Sequence, residues 1–296
     1  MNTTSDTANS NWAVYAAATL TVLFWGSAFP AIRYAVGTYS PQSLMLLRFL
    51  IASSALAVIG VFKKIRLPKK KDLPIFALGG LIGVFLYMLF SKNGAVHIEA
   101  GIGSFIVAAS PVFVLILSSL LLKEKVRPAG WVSISVSFVG LVIIMISQTD
   151  EFVLNIGVLL FLLATLCTSF HVIIQRKITR SYTALEATTY CILFATLMML
   201  IYVPGLVREL PQSNLSANLV VVYLGIFPAA LGYFSWGWAI SKAKKAANVA
   251  MFQYLAPLVS SVLGYFWLGE ILSAAAIIGG ILIILGMVMN NMLGRD

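Results

Sequence analysis

Long apolar stretches alternate with short polar or basic segments along the whole 296-residue chain. A helix needs roughly 20 mostly apolar residues to cross about 30 Å of hydrocarbon, and these stretches have that length. They lack the apolar–polar alternation that is typical of membrane barrel strands. With Pro, Gly and charge clusters as boundaries, the pattern predicts ten helical spans at residues 13–36, 42–62, 73–94, 102–122, 129–147, 155–176, 184–205, 217–240, 247–268 and 272–292.

The composition supports a chain that lies in lipid. Apolar residues make up 60% of it, charged residues 10%, and the mean hydropathy is +0.96. A soluble domain has about 45–50% apolar and about 25% charged residues. The polar first twelve residues lack the basic cluster of a secretory signal, so we expect the first span to be retained. Cys167 and Cys191 lie inside apolar spans, where packing is a simpler role than a disulfide.

The positive charge is distributed in a way that predicts topology. The formal net charge is +10, and the basic residues form short clusters between spans, so we expect them to orient the chain in a lipid bilayer and not to bind nucleic acid. If the N-terminus is cytoplasmic, 16 of the 20 Lys and Arg residues lie on the cytoplasmic side. The positive-inside rule therefore predicts a multi-pass protein of the cell inner membrane with both termini in the cytoplasm.

An internal repeat relates the two halves of the chain. Three pairs of residues recur at a constant offset of 146: Pro111 with Pro257, Glu124 with Glu270, and Gly140 with Gly286. Five spans per half is an odd number, so the second half would enter the membrane from the opposite side. We therefore predict an all-α integral membrane protein of ten transmembrane helices, arranged as two inverted five-helix repeats at 13–147 and 155–292. Such repeats allow alternating access to a site between them.

Short motifs add a family resemblance that covers residues 13 to 292. They are Trp25-Gly26-Ser27-x-Phe29 in the first span, Ser-Pro-Val-Phe from Ser110 in the fourth, and a Glu after the fourth span of each half. Their order and spacing resemble the drug/metabolite transporter superfamily, in its branch with two EamA domains. The resemblance implies a ten-helix transporter of small metabolites, with spans three, four, eight and nine around a central cavity. The run from Cys167 to His171 departs from the Trp-Ala-x-Tyr-like run of many relatives.

Charged side chains inside a membrane are costly, so each suggests a functional site. Arg48 lies several ångströms from the midplane of the second span. Its guanidinium either anchors a substrate carboxylate or phosphate, or is a structural group tied to backbone carbonyls or to Glu99. Arg33 is closer to a span end and can reach the interface. Lys92 and Glu99 bracket the turn between spans three and four, and we expect them to form an ion pair, with contact to substrate as the second alternative for each.

His171 lies near the middle of the sixth span, where it is either a proton carrier or a buried neutral imidazole bonded to a carbonyl. No Asp or Glu lies in the middle of any span, so a carboxylate relay for proton antiport is missing. Aromatic and amide side chains complete the predicted lining. The predicted substrate-binding residues are Trp25, Phe29, Arg48, Tyr87, Ser91, Asn93, His171, Tyr233, Trp236, Gln253 and Tyr254.

Gly and Pro residues predict bends and close packing. We expect Gly26, Pro30, Pro111 and Pro257 to act as hinges. Glycines at 79, 80 and 83 in the third span, and at 279, 280 and 286 in the tenth, are typical of small-residue packing faces.

The interpretation that follows is a secondary transporter, with no cofactor or metal, that exports amino acids or related compounds. It would act as a monomer or a homodimer. Purines, sugars or organic cations are alternative substrates, and a non-transporting sensor or partner subunit is an alternative role. A membrane enzyme would need a nucleophile, a carboxylate pair or a metal cluster at the membrane surface, and the sequence offers none.

Overall fold

The computed structural model describes residues 3–110, 113–114, 116–117, 128–146, 155–242, 251–269 and 273–293. Within these ranges the chain is helical apart from short turns, and they contain no strand. The all-α prediction is therefore confirmed for this part of the chain. Pro111, Glu124 and Glu270 lie outside the described residues.

The helices follow the apolar spans. They are α1 (Thr3–Ala35), α2 (Pro41–Phe62), α3 (Leu73–Gly80), α4 (Tyr87–Gly94), α5 (Ala100–Ala108), α6 (Pro128–Ile146), α7 (Ile156–Ile178), α8 (Ala184–Met199), α9 (Val203–Glu209), α10 (Leu215–Leu224), α11 (Tyr233–Lys242), α12 (Leu255–Leu268) and α13 (Ala274–Leu293). Two π-helical segments join some of them: π1 (Leu81–Leu86) connects α3 to α4, and π2 (Gly225–Gly232) connects α10 to α11.

Six helical stretches of the described residues are long and apolar enough to cross a membrane. They are Trp12–Ala35, Pro41–Phe62, Lys70–Gly94, Ile156–Gln175, Ala184–Gln212 and Leu215–Lys242. Two shorter apolar helices cover Trp131–Gly140 and Ile277–Gly286. Length and hydropathy thus support a multi-pass membrane protein.

Side-chain caps start several of these helices at the polar turns. The hydroxyl of Ser40 accepts a hydrogen bond from the Ser43 backbone nitrogen, and Pro41 begins α2. At α8, Thr183 and Glu186 form a reciprocal capping box, with distances of 2.7 and 3.2 Å. Each cap satisfies backbone N–H groups that a helix start leaves unpaired, so these polar turns define where spans begin.

The last helices of the two halves, α6 and α13, pack against each other through small residues. The close contacts are reciprocal: Gly140 with Gly279 and Ile283, and Gly286 with Ser133 and Ser137. The Ser137 hydroxyl also donates to the Ile283 carbonyl at 3.2 Å. A side chain at either glycine would overlap the opposite backbone, which explains why glycine occupies both positions.

A second reciprocal contact lies where the π-helical segments begin. Gly80, directly before π1, and Gly225, the first residue of π2, each press on a helix of the other half: Gly80 on Cys191 and Phe194 of α8, and Gly225 on Arg48 and Ile51 of α2. A Cβ at Gly80 would lie 2.5 Å from the Cys191 carbonyl oxygen, and one at Gly225 would lie 2.9 Å from the Arg48 carbonyl oxygen. The predicted packing role of Gly80 and Gly286 is confirmed.

Candidate functional site

A cavity of about 100 Å³ lies between helices of both halves. Residues of α1, α2, α4, α5, α7, α11 and α12 contribute to its wall. Along α7 the lining runs from Phe161 to Gln175, which is about 21 Å of helix. The cavity therefore extends through much of the hydrocarbon thickness.

Nine of the eleven predicted binding residues line this cavity. They are Trp25, Phe29, Arg48, Tyr87, Ser91, His171, Tyr233, Trp236 and Gln253. Asn93 is not part of the lining: its amide nitrogen donates to the Leu89 carbonyl at 2.6 Å, and its oxygen accepts from Gln42 at 3.4 Å. The side chain of Tyr254 lies outside the described residues.

An aromatic cluster forms one side of the cavity. The Trp25 ring lies 5.6 Å from the Tyr233 ring and 5.2 Å from the Trp236 ring, measured between centroids. The Trp25 indole nitrogen donates to the Pro228 carbonyl of π2 at 3.1 Å, which fixes the indole. Tilted aromatic pairs at this spacing stabilise one another, so the cluster forms a rigid apolar surface.

Arg48 is tied to a backbone carbonyl and also lines the cavity, while its role as a substrate anchor stays a prediction. Its side chain is 2% exposed, and Nε donates to the Leu224 carbonyl at 3.1 Å. An α-helix would pair this carbonyl with the N–H of residue 228, but Pro228 has none. No carboxylate among the described residues contacts Arg48, and its weak second contact is Nη1 to the Met88 sulfur at 3.6 Å. Arg48 thus supports π2 while its guanidinium borders the cavity.

His171 is 7% exposed and packs against Gly83 in π1. The Gly79 carbonyl lies near the imidazole, and both alternatives for His171, proton carrier and neutral imidazole bonded to a carbonyl, stay predictions. The buried Nδ1 atom finds no hydrogen-bond partner among the described residues. His171 therefore has one unused polar atom at the edge of the cavity.

The expected ion pair between Lys92 and Glu99 is wrong. Lys92 is 0% exposed, and its Nζ has no hydrogen-bond partner in the part of the chain that the structure describes. Lys92 follows Met88 by one helical turn, and Met88 contacts Arg48, so this face of α4 turns into the protein. Glu99 instead lies at the start of α5. Arg33, expected at the interface, donates to the Ala95 carbonyl at 2.5 Å.

Sequence reasoning missed part of the lining. The additional residues include Met88, Ser104, Phe161, Thr168 and Gln175. Thr168 and Gln175 lie on one face of α7 with His171, at spacings of three and four residues. That polar stripe in an apolar span was a usable signal. Within the described residues, no group of three or more His, Cys, Asp or Glu side chains could hold a metal ion.

One of the predicted hinges, Gly26, lies at a helix contact. A Cβ at Gly26 would come within 2.6 Å of the Val259 Cβ, so α1 and α12 approach closely there. Pro30 lies inside α1. Pro257 belongs to α12, but its side chain, like all of Pro111, lies outside the described residues. The hinge role of these residues stays a prediction.

Comparisons with known proteins agree with this geometry. The EamA-like transporter family matches residues 12–146 and again 155–292. An uncharacterized transporter of Archaeoglobus fulgidus is 34% identical, covering 93% of this chain and 96% of its own. A probable terminal-alkyne amino-acid exporter of Streptantibioticus cattleyicolor is 33% identical, covering 92% and 91%.

One further sequence relative and one solved structure are also similar to this chain. The uncharacterized transporter YdfC of Bacillus subtilis is 32% identical over 90% of this chain and 87% of its own. One solved crystal structure matches 97% of both chains with a TM-score of 0.70 at 20% identity, a likeness of fold alone. The two family matches and the apolar helices establish a multi-pass membrane protein with small-molecule substrates. This chain belongs to the EamA-like transporter family of the drug/metabolite transporter superfamily and carries the family domain in each half.

Proposed function

We propose that the protein is a secondary transporter that exports amino acids or related small compounds by alternating access. The observation that carries the proposal is the cavity between the two family domains, which combines a guanidinium with an aromatic cluster. A relative named as a probable terminal-alkyne amino-acid exporter, 33% identical to this chain, supports the choice of amino acids.

The lining chemistry matches an amino acid with an apolar side chain. The planar guanidinium of Arg48 is suited to a carboxylate. The rings of Trp25, Tyr233 and Trp236 offer apolar contact and faces that attract an ammonium group. A purine, sugar or organic cation would leave the Arg48 charge without a counter-ion, which is why we rank these substrates second.

The proposed architecture is ten transmembrane helices in two inverted repeats, at 13–147 and 155–292. The reciprocal contacts of α6 with α13, and those of Gly80 and Gly225, support a two-fold relationship between the halves. The hydroxyls of Ser53 and Thr196 add a further contact at 2.7 Å between residues 143 positions apart. A pseudo-two-fold axis in the membrane plane accounts for all three contacts.

Exchange would come from rocking of the helices that surround the cavity. We propose Gly26, Pro30, Pro111 and Pro257 as the positions that absorb the change, and His171 as the residue that could couple a proton. Replacing Pro257 by Ala should slow exchange more than it weakens substrate binding. An equal loss of both in proteoliposomes would contradict the hinge role.

Counterflow in liposomes tests the proposed function. Purified protein is reconstituted with an internal pool of unlabelled L-propargylglycine, a terminal-alkyne amino acid, and the uptake of labelled compound is followed. We expect uptake with the unmodified protein and with Trp131→Ala, whose ring is 49% exposed, and none with Arg48→Gln. Exchange of purines, sugars or organic cations alone would contradict the amino-acid assignment. No exchange of any pool by folded protein would favour a sensor or partner subunit.

We propose that the protein lies in the cell inner membrane with both termini in the cytoplasm. We propose that it acts as a monomer or a homodimer. A C-terminal fusion to green fluorescent protein should fluoresce, and a fusion to alkaline phosphatase should be inactive. The opposite result would reverse the orientation. Light scattering of the purified protein decides between one copy and two.

A further inference from the structure

Lys92 is an unexplained charge in the interior of the protein. It lies in the apolar stretch Lys70–Gly94, is fully buried, and its Nζ has no hydrogen-bond partner among the described residues. Burying a charge at such a depth costs several kcal/mol unless a partner compensates for it. Native proteins leave few buried polar atoms unpaired, so this one requires an explanation.

A neighbouring positive charge makes the problem worse. Arg48 of α2 is close enough for its positive charge to repel that of Lys92. Met88 connects the two side chains. Its sulfur is 3.6 Å from Arg48 Nη1, and Met88 precedes Lys92 by one turn of α4. Two buried cations therefore stand together, and neither meets a carboxylate in the part of the chain that the structure describes.

Arg48 lies at the wall of the cavity, and Lys92 lies one helical turn beyond Met88, which shares that wall. Arg48 lines it directly, and so do Tyr87, Met88 and Ser91, which precede Lys92 on the same helix. The Ser91 hydroxyl donates to the Met88 carbonyl at 3.3 Å. A small molecule in the cavity would therefore contact Arg48, whereas Lys92 follows the lining residues of α4 and is not itself part of the lining.

We propose that Arg48 and Lys92 together form a site for a carboxylate group of the transported molecule. Arg48 donates to the carboxylate from the cavity wall, and Lys92 supplies a second positive charge behind that wall. A bound anion adds a counter-charge to a cavity whose described lining holds one acidic residue, Glu99. The inference rests on the proposed function, because it takes this cavity as the place where substrate binds, and it restricts the substrates to small molecules with a carboxylate.

Thermal-shift measurements on the purified full-length protein test the site with three probes. L-Propargylglycine has both the ammonium and the carboxylate, its amide lacks the carboxylate, and 4-pentynoate lacks the ammonium. A ligand that binds only the folded state stabilises it by RT ln(1 + [L]/Kd), so the Tm rises with the concentration and the affinity of the ligand. We expect shifts with L-propargylglycine and 4-pentynoate and none with the amide. A shift with the amide equal to that with the acid would overturn the inference, as would the absence of a shift with either carboxylate.

Variants separate the charge of Lys92 from its packing. Lys92→Met should weaken binding of both carboxylates roughly tenfold, because it removes one unit charge at a distance of several ångströms. Lys92→Arg, which keeps the charge, should retain more of the affinity than Lys92→Met. The exposed Lys242→Met is the matched control and should bind like the unmodified protein. Unchanged carboxylate affinity in folded Lys92→Met would contradict the role of this lysine.

Failure of the site and failure of transport are distinguishable. Carboxylate-dependent shifts without counterflow would contradict the proposed transport and leave the anion site standing. Counterflow of L-propargylglycine with equally good exchange of its amide would support the proposed transport and contradict the anion site. If Lys92→Met does not fold, the three probes on the unmodified protein still decide whether a carboxylate is required, and Lys92→Gln takes the place of Lys92→Met as the variant without the charge.

Discussion

Arg66 and Glu186 join the two halves of the chain by an ion pair with two contacts. Nε of Arg66 lies 2.9 Å from Oε1 of Glu186, and Nη2 lies 3.0 Å from Oε2. The Arg66 backbone nitrogen donates to the same carboxylate at 2.9 Å, and so does that of Thr183 at 2.7 Å. The Glu186 carboxylate raises the pKa of Arg66 above its ordinary value by accepting hydrogen bonds from the Arg66 guanidinium. The loop before α3 is thereby tied to the first turn of α8.

Replacing either residue of this pair should destabilise the protein. The Gln oxygen can still accept from the Thr183 backbone nitrogen, but its amide nitrogen cannot accept from Arg66. Glu186→Gln therefore removes the charge together with hydrogen bonds to Arg66, and we expect it to cost about 1–3 kcal/mol. Arg66→Gln and the double variant complete a double-mutant cycle, measured by thermal unfolding. The double variant should lose less than the sum of the single losses. Arg208→Gln, at an exposed position, is the control, and strictly additive losses would contradict the coupling.

Gly83 should not tolerate a side chain. A Cβ at this position overlaps the imidazole of His171, so Gly83→Ala forces one of the two helices to shift and should cost about 1–3 kcal/mol. Gly205→Ala is the matched control, because its Cβ would meet only the Ser43 hydroxyl, at 3.4 Å. Alanine favours a helix, so that variant should be neutral or stabilising by up to about 1 kcal/mol. His171→Ala should restore much of the stability lost in Gly83→Ala, and thermal unfolding checks both.

Arg48 and Pro228 should be coupled through the Leu224 carbonyl. Arg48→Met removes a charged side-chain donor to this carbonyl, and a hydrogen bond to a charged group contributes about 1.5–3 kcal/mol. Pro228→Ala introduces an N–H that can reach the same oxygen. Arg48→Met should therefore lower the Tm less in the Pro228→Ala background than in the unmodified protein. The same loss in both backgrounds would show that Arg48 does not support π2.

Trp236 should contribute to ligand affinity through its ring. Its side chain is 7% exposed, lines the cavity and packs against Trp25. Trp236→Ala should lower the affinity for L-propargylglycine by at least about tenfold, since buried aromatic anchors contribute about 2 kcal/mol or more. Isothermal titration measures this Kd. Trp131→Ala removes a half-exposed ring on α6 and should leave it unchanged; equal effects of the two variants would exclude a specific role.

The sequence by itself determined the class of the protein and most helix positions. The second span was predicted at 42–62 and is helical at Pro41–Phe62; the third, predicted at 73–94, is helical from Leu73 to Gly94. Such agreement follows because the thickness of the bilayer dictates the length of an apolar run and polar turns end it. Nine of the eleven proposed binding residues line one cavity. Polar side chains within apolar spans face the protein interior, because their exposure to lipid is costly.

Only the tertiary structure decided which partners these residues meet. An apolar sequence does not distinguish an α-helical from a π-helical turn, so π1 and π2 depend on the packing of Gly80 and Gly225 against the other half. Lys92 and Glu99 are close in sequence, yet the rotation of α4 buries Lys92 beside Arg48. Each residue of an α-helix is rotated by about 100° from the one before it, so neighbours in sequence lie on different faces of the helix. The helices that pack against each face determine which charged side chain lacks a partner among the described residues.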